Sequence, residues 1–313
     1  DIVLTIDYLL GQGLEPKSHT NNRIAFITGN NYQRLVCEMA VMSCGLVSVP
    51  IFARYPAPLM SDLLRFSKVS LLITDVPNQV AELSNLPEKI LLLNSEDSTV
   101  RFSEKCQVNF FEDLLGHTLD AGASGRIENL MRAVEPSTMA LIMYTSGTSG
   151  FPKGVQLSHA NLMSQQKALQ ILWKPEPGMR FLSYLPWHHS FGGLFERFLA
   201  LSSGGCLAID DSQGKDIERL LENFAQIKPH VYFSVPRIYQ EIVTRIRTNK
   251  EVERSFFHDN LKFVFTAAAP LPISTSDVFK AKKVPVVESW GLTETSPCCT
   301  LTGFDLERTS GVV

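Results

Sequence analysis

Between Met143 and Gly154 the chain places three glycines, five hydroxyl side chains, one proline and one lysine, directly after the apolar run Met139–Tyr144. Residues without bulky Cβ substituents let backbone N–H and side-chain O–H groups surround phosphate oxygens, and Lys153 adds a full positive charge at the same place. The spacing excludes two common phosphate sites. Gly147 is followed five positions later by Pro152, and Gly150 by no Gly-Lys pair, so the Gly-x4-Gly-Lys-[Ser/Thr] loop is absent, as is Gly-x-Gly-x-x-Gly. Taken alone, the stretch also reads as a surface turn. The weak alternation of Val155-Gln-Leu-Ser158 leaves both a hairpin turn and a strand-to-helix turn open.

Three further stretches combine residue types suited to the same chemistry. Glu288–Pro297 (ESWGLTETSP) offers a flat ring that can stack on a base, hydroxyls that can donate to phosphate, and a carboxylate suited to a hard cation. Thr266–Pro272 (TAAAPLP) is a run of small residues ending an apolar strand pattern. Leu182–Phe198 (LSYLPWHHSFGGLFERF) carries adjacent histidines, His188 and His189, which regular structure points in different directions.

Residues 145–154 resemble the phosphate-binding signature of the adenylate-forming (AMP-binding) superfamily, Thr-Ser-Gly-Thr-Thr-Gly-x-Pro-Lys-Gly, with Ser149 keeping the hydroxyl of the usual threonine. Trp290-Gly-Leu-Thr-Glu294 resembles its Tyr-Gly-x-Thr-Glu signature, with tryptophan where tyrosine is usual. Residues 266–272 resemble its Gly-Gly-Ala-Pro wall of the adenine pocket, with Ala267 and Ala268 where glycines are common. Residues 185–189 resemble its Leu-Pro-x-x-His segment.

This resemblance spans most of residues 24–297 and implies the large N-terminal domain of acyl-activating enzymes. It implies ATP, Mg2+ and coenzyme A as cofactor and co-substrates. Thr145, Ser146, Gly147, Thr148, Ser149, Gly150, Lys153, Ala268, Ala269, Pro270, Trp290, Gly291 and Thr293 would bind the nucleotide, and Thr148 and Glu294 the metal. Lys153, His189, Thr293 and Glu294 would be catalytic, and His189, Ser190, Gly192 and Gly193 would meet the acid substrate, the two glycines by leaving room for its chain. The implied reaction joins a carboxylate to the α-phosphorus of ATP, releasing pyrophosphate, and passes the acyl group to a thiol.

The first acid after Trp187 is Glu196, which leaves a substrate α-amine without an evident partner. Leu185–Arg197 and Phe233–Ile242 instead resemble long-chain fatty acyl-CoA ligases, so a fatty acid is the expected substrate. A fatty acyl-AMP ligase feeding an acyl carrier protein, and a non-catalytic nucleotide or acyl-binding module, are the competing expectations. The downstream ribose-binding aspartate, the hinge and the small C-terminal domain with its lysine would lie beyond Val313. The chain is therefore expected to be a fragment, nearly inactive as a ligase.

The elements that must position these residues are legible as short apolar runs. Strands are expected at 24–28, 46–52, 70–74, 90–93, 139–144, 181–185, 206–209, 231–235, 263–266 and 284–287, several of them unalternated, as strands buried on both faces are. Amphipathic helices are expected between them, at 161–172, 194–201, 217–227, 237–247 and 274–281. Such alternation predicts an α/β fold with largely parallel sheets. Ten strands predict two stacked α/β subdomains, approximately 1–175 and 176–297, divided near the Pro/Gly stretch 174–178, with 298–313 opening a truncated region.

With 29 basic and 32 acidic residues the formal charge is −3, which gives no broad footprint for nucleic acid or anionic membrane. The six cysteines show neither a Cys-x-x-Cys pair nor zinc spacing, so reduced thiols in a cytoplasmic setting are expected. No apolar run reaches the ~20 residues of a membrane span, leaving peripheral membrane contact as the only kind expected.

Overall fold

A computed structural model of the chain describes residues 1–16, 18, 21–95, 99–145, 150–305 and 311. The chain divides into two units, Asp1–Ala160 and Asn161–Val313.

The first unit carries β1 (Arg23–Ile27), β2 (Val47–Pro50), β3 (Leu71–Thr74), β4 (Lys89–Leu92), β5 (Gln107–Phe110), β6 (Met139–Thr145) and β7 (Lys153–Ser158), in the sheet order β5-β4-β3-β1-β2-β6-β7. All neighbours are parallel except the β6–β7 pair. The reason for the unalternated strands is visible in β1. Ile24 and Phe26 enter one core, beneath the helices Ile2–Gly11 and Tyr32–Ser43, while Ala25 and Ile27 enter another with Leu63 and Leu64 of the helix Ala57–Ser67.

Strand order reverses direction between β1 and β3, where open α/β sheets commonly admit ligands. Here Asp75, just past β3, fills that crevice. Its carboxylate accepts from Gly29 N–H at 3.0 and 3.2 Å and from Asn31 Nδ2 at 2.8 Å. Asn31 also caps the helix Tyr32–Ser43, its side chain accepting from Arg34 N–H at 2.7 Å.

The second unit carries β8 (Arg180–Ser183), β9 (Cys206–Ile209), β10 (Val231–Ser234), β11 (Phe263–Thr266), β12 (Val286–Trp290) and β13 (Thr300–Leu301), ordered β13-β12-β11-β10-β8-β9. It is parallel apart from β12–β13. The division of the chain falls within the helix His159–Trp173, ahead of the Pro/Gly stretch 174–178. The helix body packs with the second unit: Gln166 Nε2 donates to Leu194 O at 3.1 Å, and Trp173 meets Phe195 at 5.8 Å between ring centroids.

Among the described residues thirteen strands stand where ten were expected. β5 is an incompletely buried edge strand without a strong apolar signal, β7 is the return arm of a hairpin, and β13 is two residues long. Among the described residues no helix is long and apolar enough to cross a membrane.

Candidate active site

In the first unit the hydroxyl-rich stretch lies in sequence between β6 and β7, which pair antiparallel. Tyr144 pairs with Gly154, and Thr145 with Lys153. Gly154 is closely packed: a Cβ there would lie 3.1 Å from Ile142 Cγ2 and 3.3 Å from Tyr144 Cε1, so those side chains would have to shift. Gly150 takes a φ of 97°, in the left-handed region that favours glycine. Lys153 is exposed. Two contacts fix the flanks: the Tyr144 and Ser67 hydroxyls share a 2.6 Å hydrogen bond, and Phe151 meets Phe66 edge-on at 5.7 Å. Ser146, Gly147, Thr148 and Ser149 lie outside the described residues.

In the second unit a cavity of about 320 Å³ opens at the carboxyl ends of β11 and β12, the end of a parallel sheet where ligands bind. Ala268, Ala269 and Pro270 form one side, Trp290 and Gly291 another, His189 and Ser190 a third, and the rings of Phe191, Phe195 and Phe265 close its base. The lining thus joins the polar side chains of His189 and Ser190 to a group of aromatic rings.

Each wall is held by a specific local device. Ala268 adopts φ 75°, the region glycine favours, so the alanine keeps a glycine-like backbone path. A Cβ on Gly291 would stand 1.7 Å from Pro297 O, so only glycine lets the chain double back after β12. That turn continues into the 3-10 helix Thr293–Thr295, where Thr295 Oγ1 accepts from Leu292 N–H at 3.0 Å. Thr293 Oγ1 donates to Ser190 Oγ at 3.4 Å, joining the turn to the histidine segment. The Trp290 ring is 54% exposed, which leaves a face free for a planar ligand, and Glu294 projects to solvent.

His189 Nδ1 accepts from Phe191 N–H at 3.3 Å, which leaves Nε2 to carry the proton of the neutral ring. Desolvation holds this imidazole below its usual pKa even though the residue keeps an open face. A neutral ring with an N–H donor at the cavity can hydrogen-bond a carboxylate without adding charge. Of the two histidines, His189 lines the cavity.

A model of the family described as AMP-binding enzyme matches residues 7–313. The chain belongs to the AMP-binding enzyme family. It is 28% identical to long-chain-fatty-acid–CoA ligase 5 of Rattus norvegicus over 271 residues, covering 82% of this chain and 38% of that ligase. It is also 28% identical to malonate–CoA ligase ACSF3, mitochondrial, of Xenopus laevis over 285 residues, covering 87% of this chain and 44% of that ligase. Among solved structures, ATP-bound MatB from Rhodopseudomonas palustris superposes with a TM-score of 0.78 at 23% identity, covering all of this chain and 57% of that one. The chain therefore spans less than half the length of the two curated relatives, and its fold is that of an N-terminal domain of adenylate-forming enzymes.

For this AMP-binding family member the structure also relocates some expectations. Gly192 and Gly193 do not line the cavity. A Cβ on Gly192 would lie 2.6 Å from Leu185 O, so this glycine serves the close approach of the π-helix Phe191–Glu196 to the preceding backbone. Gly193 is buried in the same turn, its N–H donating to His189 O at 2.8 Å. Glu196 is fully buried, accepting from Ser183 Oγ at 2.6 Å, and burial pushes its carboxyl up to about 8.

A residue that motif reading passed over is Glu288. It is 3% exposed and lines the cavity, Oε1 accepting from Leu271 N–H and Oε2 from Gly311 N–H, both at 2.8 Å. It therefore fixes the end of the alanine-rich wall. Its signal was a carboxylate directly following the unalternated run Val284–Val287. Among the described residues no group of three or more His, Cys, Asp or Glu is placed to hold a metal, so a cation here would depend on Glu294 and on oxygens from ligand and water.

Proposed function

We propose that the chain is the nucleotide- and acyl-binding part of an acid–thiol ligase that activates a carboxylic acid, a long-chain fatty acid, as its acyl-adenylate and passes it to coenzyme A. The observation that carries this reading is the cavity at the ends of β11 and β12, in which a base-stacking ring, a neutral histidine donor and an aromatic base converge.

The chemical obstacle is repulsion between an anionic carboxylate and an anionic α-phosphate. Preorganised donors and positive charge lower it, with little need for an acid or base. In this reading Lys153 and the loop 145–150 take the β- and γ-phosphates. Trp290 stacks on adenine against Ala268–Pro270, Thr293 donates to the α-phosphate, and His189 Nε2–H orients the acid. Glu294, exposed and carboxylate-bearing, fits a hard cation that keeps most of its ligands as phosphate and water oxygens. Bound Mg2+ would supply charge neutralisation at the phosphates.

The six free thiols fit a reducing compartment such as the cytoplasm. An acyl carrier protein in place of coenzyme A would use the same first half-reaction.

Calorimetric titration with Mg-ATP and with a non-hydrolysable long-chain acyl-adenylate mimic tests the reading. The mimic is expected to bind more tightly than Mg-ATP, with Lys153→Ala and Glu294→Ala each weakening Mg-ATP. Failure of the wild-type chain to bind either compound overturns it.

A further inference from the structure

Between the candidate site and a second cavity stand the rings of Phe195 and Phe265 and, on their far side, Trp173. Phe195 and Phe265, 1% and 0% exposed, meet at 4.8 Å between ring centroids and close the first cavity. Trp173 packs on both, at 5.8 and 5.6 Å, and also lines a separate cavity of about 160 Å³ with Met179, Phe181, Leu199, Val231 and Phe263. Phe263 and Phe265 are two residues apart on β11, so they share a face of the sheet and stand about 7 Å apart along it. The two cavities are therefore successive hollows along one strand.

The chemistry of the second hollow is that of hydrocarbon. Its walls are aromatic and aliphatic. The cation at its rim, Lys262, is held by Glu176 at 2.9 Å, and both are exposed, so no charge points inward from that pair. Nothing in such a lining selects a polar substituent, whereas each methylene moved into it from water is expected to raise affinity about fourfold.

We propose that Phe195 and Phe265 are the length-determining partition of the acyl site, and that the second cavity receives the distal end of an unbranched acyl chain. Short acyl groups stop at the rings. Longer ones displace them, run along β11 and end against Trp173 and Met179. This inference rests on the reading of the first cavity as the acyl-adenylate site.

The experiment compares two non-hydrolysable mimics, acylsulfamoyl adenosines carrying butanoyl or hexadecanoyl, by calorimetry on the wild-type chain and three variants. Met179→Trp and Leu199→Phe fill the second cavity from different walls. Both are expected to weaken the hexadecanoyl mimic at least tenfold while the butanoyl mimic binds as to wild type, which also reports an intact fold. Phe265→Leu thins the partition and is expected to raise the preference for the long chain severalfold. A long-to-short affinity ratio unchanged by whichever filling variant retains butanoyl binding overturns the proposal. If wild type binds neither mimic, the acyl-adenylate reading itself fails, and the inference with it.

Discussion

The carbonyl oxygen of Pro297 lies 1.7 Å from the point where a Cβ on Gly291 would stand. No side chain can share that space, and the obstacle is backbone. Gly291→Ala must therefore open the turn that carries Thr293 and Glu294. We expect at least a tenfold loss of acyl-adenylate mimic affinity and a stability cost of about 1–3 kcal/mol, read by calorimetry and thermal unfolding. Wild-type affinity in this variant would show that the turn does not shape the site.

Trp290 tests the stacking role separately from folding, because its ring is largely exposed. Trp290→Ala is expected to leave the unfolding temperature unchanged and to weaken AMP binding by about 0.5–1.5 kcal/mol, with Trp290→Tyr close to wild type. Equal AMP affinity in all three would remove the ring from the site.

The buried carboxyl of Glu196 makes stability depend on pH with a defined sign. Its folded pKa, about 8, lies above the ordinary carboxyl value of 4.5, so the folded state holds the proton more tightly. That contribution is complete below the ordinary value and is lost as pH rises toward 8. Glu196→Gln keeps an acceptor for Ser183 and removes the titration. It should stabilise the protein little at pH 4.5 and by an amount on the order of 1–3 kcal/mol at pH 8, measured by denaturant unfolding at both pH values.

His189 has the opposite leaning. Its folded pKa is depressed by desolvation, so the unfolded chain takes up the proton more readily, and stability falls as pH drops through the ordinary imidazole range. His159, His230 and His258 are shifted the same way. His189→Gln should therefore reduce the acid-side slope only in part. Mimic binding by wild type should change only as pH falls through the ring's depressed folded value, below the ordinary imidazole range, and binding by the variant should be flat there.

In the first unit, Arg34 and Glu38 are each 1% exposed and pair at 3.3 Å, with Ser48 Oγ donating to Glu38 at 2.9 Å. Glu38→Ala removes the carboxylate paired with the buried guanidinium. We expect a loss of about 3–5 kcal/mol in unfolding experiments. A loss below 1 kcal/mol would mean that water reaches Arg34.

What the sequence made legible was local. Unalternated runs such as Ile24–Thr28 gave strands because both faces of β1 meet apolar layers, and the spacing within 145–154 and 290–294 announced ligand chemistry. Contacts between residues close in structure but with no periodic relation in sequence were silent. Gly192 read as open volume because nothing in its neighbours tells of Leu185 O beneath it, and Glu288 read as background because a carboxylate at a strand end commonly faces water. The paired rings of Phe195 and Phe265, 70 positions apart in the chain, likewise emerge only when a helix is laid on a sheet.

Asp75 gives the two sheets different fates. A crevice bounded by the Gly29 N–H, the Asn31 amide and the Arg34 side chain offers the donors an external anion would seek, and the protein answers with its own carboxylate. The first sheet thus carries a tethered counter-ion where others carry a guest, at an effective concentration no dissolved anion can match. The crevice between β1 and β3 is thereby occupied from within as soon as the chain folds, whereas the ends of β11 and β12 keep an open vestibule.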